Sequence, residues 1–164
     1  MHPLDEATAL AGAATEPVRR GRTHDAYWTF IGPFGGASAA TALRAVLEHP
    51  RRQGDPLAAT VNFCAPIERG EFAVHVRLVR ANRSSQHWQV EFRQDDADDA
   101  VLTASIVTAA RRESWQHQPA QPPPLPPPAT MAPFAERNAL SWIAQYGFRF
   151  AEGVFEPSEQ PFDP

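Results

Sequence analysis

The sequence predicts an α+β domain, in which one antiparallel sheet wraps around one long, apolar helix. Three observations lead to it. Residues 37–48 contain no Gly or Pro and are rich in strong helix formers. Residues 71–80 and 87–94 alternate with period two, the pattern of half-buried strands. The later strands follow one another through short turns, which favours an antiparallel meander.

Residues 1–25 are Ala-rich with scattered charges and are expected to be frayed. Ala26-Tyr27-Trp28-Thr29-Phe30-Ile31 reads as a first strand, closed by Gly32-Pro33. Gly35-Gly36 then opens the helix, whose small and apolar residues (Ala37, Ala40, Leu43, Ala45, Val46, Leu47) cover most of its circumference. A helix that apolar is expected to be buried on most sides. His49-Pro50 ends it, and Leu57 to Phe63 forms the next strand. In the following strand Phe72, Val74, Val76 and Leu78 share a face; in the next, Trp88, Val90 and Phe92 do. Asp95 to Asp99 makes a hydrated turn before a last strand, Val101 to Ala110.

The 164 residues allow one domain, or one domain and the beginning of another. Eight prolines between Pro119 and Pro133 mark an extended polyproline connector. The expected organisation is a flexible start (1–25), a domain (26–111), a linker (112–133) and a tail (134–164).

Composition narrows the function classes. All 15 basic residues are Arg, against 19 acids, and a net charge of −4 gives no general attraction to nucleic acid or anionic lipid. No apolar run approaches the roughly 18–20 residues of a membrane span, and the acidic start is unlike a secretory signal. With a single Cys64 no internal disulfide can form. The expectation is a cytoplasmic bacterial protein. Without Lys there is no P-loop, and the six scattered His residues form no zinc pair. No metal site is expected. Gly36-Ala37-Ser38-Ala39-Ala40 faintly resembles a nucleophile elbow, but the parallel βαβ units that motif needs are missing. Cys64, between Phe63 and Ala65, reads as a small buried residue.

Trp28-Thr29-Phe30-Ile31-Gly32-Pro33-Phe34-Gly35-Gly36, the strand Thr60-Val61-Asn62-Phe63 running to Pro66, Gly70 before a long strand, Arg80 with Arg83-Ser84, and Val101-Leu102-Thr103-Ala104-Ser105 occur in that order. Together they resemble the N-terminal hotdog unit of acyl-CoA thioesterase II-like, double-hotdog proteins, over about 27–111. The resemblance implies the hotdog fold, hydrolysis or binding of acyl-CoA thioesters, and no bound cofactor. It also implies a homodimer or higher hotdog oligomer. Tyr146 to Phe150 resembles the opening strand of a second unit, so the chain is expected to be truncated or to be completed by a second copy.

Candidate site residues follow. Gly35 and Gly36 offer free helix-terminal N–H groups to a thioester carbonyl. In the family's catalytic half an Asp, a Gln and a hydroxyl complete the site. Here Ala58 falls near the acid position and Thr108 near the amide position, with Ser84 or Ser85 at the hydroxyl. The acid and the amide are absent, which leaves Asn62 to orient a water or carbonyl and Asp25 or Asp55 as substitute bases. Arg80 and Arg83, with Ser84, are candidates for the CoA phosphates. Phe34, Phe63 and Trp88 are candidate walls of an acyl slot. The rival reading is a non-catalytic acyl-CoA-binding or structural half that completes a site on a partner. A hotdog dehydratase is a third option, but its Asp–His pair has no counterpart here.

Overall fold

The strands carry inward-facing apolar residues that only a helix lying across the sheet can cover. A computed structural model describes residues 1–94, 98–134 and 141–153. Its elements are α1 (Pro3–Ala7), β1 (Val18–Arg22), α2 (Gly35–Leu47), β2 (Asp55–Phe63), β3 (Glu71–Ala81), β4 (Ser85–Arg93) and β5 (Leu102–Ala109). The strands form one antiparallel sheet in the order β1-β3-β4-β5-β2, and α2 packs against it. The expected wrapped helix and meander are both present, and the architecture is the hotdog fold.

The core follows from the alternation. Val74, Trp88, Val90, Phe92, Leu102, Ala104 and Ile106 are almost wholly buried and meet Ala42, Ala45 and Val46 of α2. Phe72 stacks on Phe92 at 4.8 Å between ring centres. Beyond the apolar centre, the same face ends in buried polar residues. The Gln86 side-chain oxygen accepts from Gln53 N at 2.7 Å, and its amide donates to the Arg51 carbonyl at 2.9 Å. The connection between α2 and β2 is thereby fastened to the sheet.

Helix α2 begins two residues earlier than expected, because the Phe34 carbonyl accepts from Ala37 N (2.9 Å) and Ser38 N (3.3 Å). It is buried along one stripe, through Ala37, Ser38, Thr41, Ala42, Ala45 and Val46, and not on most sides. Ala39, Ala40 and Leu43 are half-buried and Leu47 is exposed, since one sheet covers only one face.

One expectation at the N-terminal side is corrected. The first strand is Val18–Arg22, not 26–31, and it pairs with β3 at the sheet edge. Its signal is hidden because its inward residues are Arg19 and Gly21 rather than apolar ones. A Cβ on Gly21 would lie 2.5 Å from the Phe72 ring, so glycine leaves room for that core residue. Arg19 is buried and its guanidinium donates to Glu48 Oε2 (2.6 Å) and the Leu10 carbonyl (2.8 Å). Arg44 donates to the other Glu48 oxygen at 2.6 Å and to the Asp5 carbonyl at 2.8 Å. These bonds connect the N-terminal segment to the end of α2.

Residues 26–31 form a 3-10 turn (Asp25–Tyr27) and a tight reversal. There Thr29 N and Thr29 Oγ1 both donate to the Gly32 carbonyl at 2.8 Å. The proline-rich stretch is exposed, ending in a 3-10 turn at Pro128–Thr130. Tyr146 to Phe150 is not a strand. Instead Trp142 stacks on Phe34 at 4.3 Å and Tyr146 meets the Tyr27 ring edge-on at 6.4 Å. The expected turn at Asp95 to Asp99 lies partly, and the tail beyond residue 153 wholly, outside the described residues.

Candidate functional site

A groove of about 450 Å³ opens where α2 begins. Its walls are the 29–33 reversal, the first turn of α2 and residues 63–67 that follow β2. Local sequence explains each wall. Cys64 N and Ala65 N donate to the Val101 carbonyl at 2.9 and 3.1 Å, which turns the chain away from the sheet. Gln94 holds the next residues from behind, donating to the Glu68 carbonyl (3.1 Å) and accepting from Glu68 N (2.8 Å). A Cβ on Gly35 would lie 3.0 Å from Phe63 Cζ, so glycine lets the Phe63 ring lie against the helix start.

The groove is mainly apolar, with Ile31, Phe63 and Ile67 among its walls, and among the described residues no Asp, Glu, His or Arg lines it. Its unpaired backbone donors belong to α2. The Gly35 and Gly36 N–H groups have no partner among the described residues, and they point out of the positive end of a 13-residue helix. Such an end accepts a carbonyl oxygen or a developing negative charge.

The structure sorts the sequence candidates sharply. Gly35 and Phe63 line the groove. Gly36 is exposed beside them, with the Phe34 ring so close that a Cβ would lie 2.5 Å from it. Phe34 itself is not a groove wall; it is sandwiched under Trp142. Trp88 is corrected too: it is 1% exposed, donates to Thr108 Oγ1 at 3.3 Å and belongs to the core. Asn62 points to the opposite face of β2 from Phe63 and donates to Thr103 Oγ1 at 3.2 Å.

Asp25 is an ion-pair partner of Arg69, whose guanidinium also lies 4.0 Å over the Trp28 ring. That arrangement pins the turn, and Asp25 does not line the groove. Asp55 pairs with Arg111 at 2.7 Å, at the far end of β2. Arg80, Arg83 and Ser84 sit at the β3–β4 hairpin, level with Asp55. Eight residue steps of β2 separate that end from Phe63, about 27 Å at strand spacing. They therefore lie at the opposite end of the sheet from the groove.

Sequence reasoning missed Thr29, Ser38 and Ile67 as groove residues, and it placed Cys64 in the core although that thiol is exposed and lines the groove. Only the Gly-Gly start of α2 signalled the place. Beside the groove, burial pushes the Tyr27 hydroxyl above its ordinary value, with the neighbouring Tyr146 and Asp5 adding to the rise. Among the described residues no group of three or more His, Cys, Asp or Glu could hold a metal ion, and no helix is long and apolar enough to cross a membrane.

Sheet order, wrapped helix and a groove at the helix start define a hotdog domain of the thioesterase-related class. The chain belongs to the acyl-CoA thioesterase N-terminal domain family, whose profile matches residues 24–110. A hotdog protein of unknown function from Alicyclobacillus acidocaldarius is 42% identical, with a TM-score of 0.81 over 88% of this chain and 53% of that one. An acyl-CoA thioesterase II from Mycobacterium marinum is 17% identical, with a TM-score of 0.63 over 79% of this chain and 47% of that one. The tesB protein of Mycobacterium avium subsp. paratuberculosis is 20% identical, with a TM-score of 0.64 over 77% and 48%. The last two share the fold. The chain spans about half the length of these structures. No curated protein sequence matches.

Proposed function

We propose that this domain is the acyl-CoA-binding half of a thioesterase-type assembly. The observation that carries the proposal is an apolar groove set against unpaired helix-terminal amides, with no carboxylate, imidazole or guanidinium in its walls among the described residues. The apolar walls suit an acyl chain, and the amides suit the thioester carbonyl. Hydrolysis also needs a group that takes a proton from water, and among the described residues no carboxylate or imidazole lines the groove.

A second hotdog unit would supply that group. The face of α2 turned away from the sheet, with Ala39, Ala40, Leu43 and Leu47, is the surface such a unit would cover. The edge strand β2, exposed along nearly its whole length, continues it. Arg80 and Arg83, at the hairpin end of the sheet, would meet the phosphates of a CoA that extends along β2 or that a partner brings there.

Titration of the chain with acyl-CoAs of graded length, followed by calorimetry, tests binding, and release of free CoA thiol tests turnover. Saturable binding without thiol release is the expected result. Release of thiol by the isolated monomer would overturn the division of labour, and absence of any binding would overturn the whole reading. Sedimentation equilibrium on the same sample tells monomer from assembly.

A further inference from the structure

Helix α2 carries two hydroxyl side chains on its buried stripe, and they behave differently. Thr41 donates to the Ala37 carbonyl one turn back, at 2.9 Å. This is the ordinary way for a buried helical hydroxyl to satisfy itself. Ser38 is 5% exposed and makes no such bond. The carbonyl one turn behind it, on Phe34, already accepts from two backbone N–H groups, and no other described residue partners the Ser38 hydroxyl. The residue is mostly enclosed, but its hydroxyl is not among the fully buried unpaired atoms, so it keeps access to solvent and is free to meet a ligand.

Ser38 lines the groove, one helical turn in from the free Gly35 N–H. It also borders a cavity of about 10 Å³ on its other side, shared with Thr23, His24 and Thr41, which is room for one water at most. Its backbone is helical rather than a strained strand-to-helix elbow, and no His lines the groove to activate it. A nucleophile is therefore not what this serine is built to be. A hydrogen-bond donor facing a carbonyl is.

We infer that the Ser38 hydroxyl is a positioning and specificity group for the groove: it donates to the thioester carbonyl oxygen alongside the helix-terminal amides, and so favours a carbonyl-bearing acyl group over a plain alkyl one. The inference rests on the acyl-CoA-binding reading above. No bond is made or broken at Ser38.

The test compares an acyl-CoA with its alkyl thioether analogue, which has a methylene in place of the carbonyl, on the wild-type chain and on Ser38→Ala and Ser38→Thr. The wild type is expected to bind the thioester more tightly. Ser38→Ala should weaken thioester binding about tenfold and leave thioether binding unchanged. Ser38→Thr, which keeps the hydroxyl, should keep at least part of the preference. The Ser38→Ala unfolding midpoint should not fall, because the substitution breaks no hydrogen bond within the domain and favours the helix.

An equal loss for both ligands, or no loss for either, would overturn the inference while leaving acyl-CoA binding in place. A drop in the unfolding midpoint with unchanged ligand discrimination would assign the hydroxyl to the small cavity instead. Failure of the wild type to bind either ligand would overturn the binding reading, and this inference with it.

Discussion

The centre of the sheet and its β2 edge are built from similar alternating strands, yet they solve opposite problems. In β3, β4 and β5 the inward side chains are closed over by α2, and Trp88, Val90, Phe92, Leu102 and Ala104 are each at most 1% exposed. Along β2, by contrast, only Val61 is partly buried, and Leu57 and Phe63 are 70% and 57% exposed. The helix crosses the first region and merely starts beside the second. The difference teaches that the burial which stabilises the fold is concentrated in the β3–β5 centre, while the β2 edge and the helix start are left uncovered.

The largest test of that division is Trp88→Ala. It removes a fully buried indole that contacts Thr108 and meets His49 edge-on at 4.9 Å. The expected loss is about 3–5 kcal/mol in chemical denaturation. A loss below about 1 kcal/mol would mean that the centre is not where the fold is held.

Gln86→Leu comes next. The side chain is 2% exposed and serves both the Gln53 N–H and the Arg51 carbonyl. Leucine would strand those two backbone groups, at a cost of about 1–3 kcal/mol. The loop between α2 and β2 should also exchange its amide hydrogens faster. Unchanged exchange there would show that the loop is held by other means.

The same contrast explains what the sequence made legible. Where the sheet is covered, inward positions must be apolar, so period two over 71–80 and 87–94 located β3 and β4 to within two residues. Where the pattern carried other duties it failed. Strand β1 hides behind an inward Arg19 that pairs with Glu48 and a Gly21 that yields to Phe72. The aromatic run from Tyr27 to Ile31 looked like a strand because it is apolar, but Phe30 and Ile31 are 85% and 78% exposed on the reversal that walls the groove. The site was half legible. Gly35-Gly36 and Phe63 could be found because a glycine pair at a helix start has a local physical meaning. Trp88 lies in the core and Arg80 at the far end of the sheet from the groove, because sequence neighbourhood says nothing of which end of a strand, or which face, a residue reaches. Ser38 was seen only as a weak elbow motif, and its unpaired hydroxyl becomes visible only once the packing is known.

A smaller effect concerns acid, and it falls on the covered side. Burial, aided by Arg51, holds the His49 imidazole below its ordinary value of 6.5. Its Nδ1 accepts from Arg51 N at 3.2 Å, which the neutral ring can do. The unfolded chain therefore takes up this proton first, so stability is complete above pH 6.5 and declines as pH falls from there toward the folded value. Glu48 adds a second, lower limb. Burial pushes its carboxyl up, but hydrogen bonds from Arg44 and Arg19 outweigh that and hold it below its ordinary 4.5. That contribution is present above pH 4.5 and is lost as pH falls through the folded value. Unfolding midpoints measured from pH 8 to 4 should fall in two stages, and His49→Gln should remove the upper one. A flat profile above pH 5 would contradict the assignment of His49.

The smallest expected stability change is the most informative about the open side. Phe63→Ala truncates a ring that is more than half exposed and rests on the Gly35 backbone. Little apolar area returns to water, so the unfolding free energy should change by no more than about 1 kcal/mol. The groove, however, loses one of its apolar walls, and acyl-CoA affinity should fall by several-fold, more steeply for longer acyl chains. Removing the ring also frees the space that a Cβ at residue 35 would need. Gly35→Ala alone should therefore weaken binding by displacing Phe63, and the same change made on the Phe63→Ala background should cost much less. Additivity of the two substitutions would mean that glycine at 35 serves the ligand directly rather than the ring. Either result locates the binding determinant at the helix start. Only a large loss of stability from Phe63→Ala would erase the contrast between the two sides of the sheet.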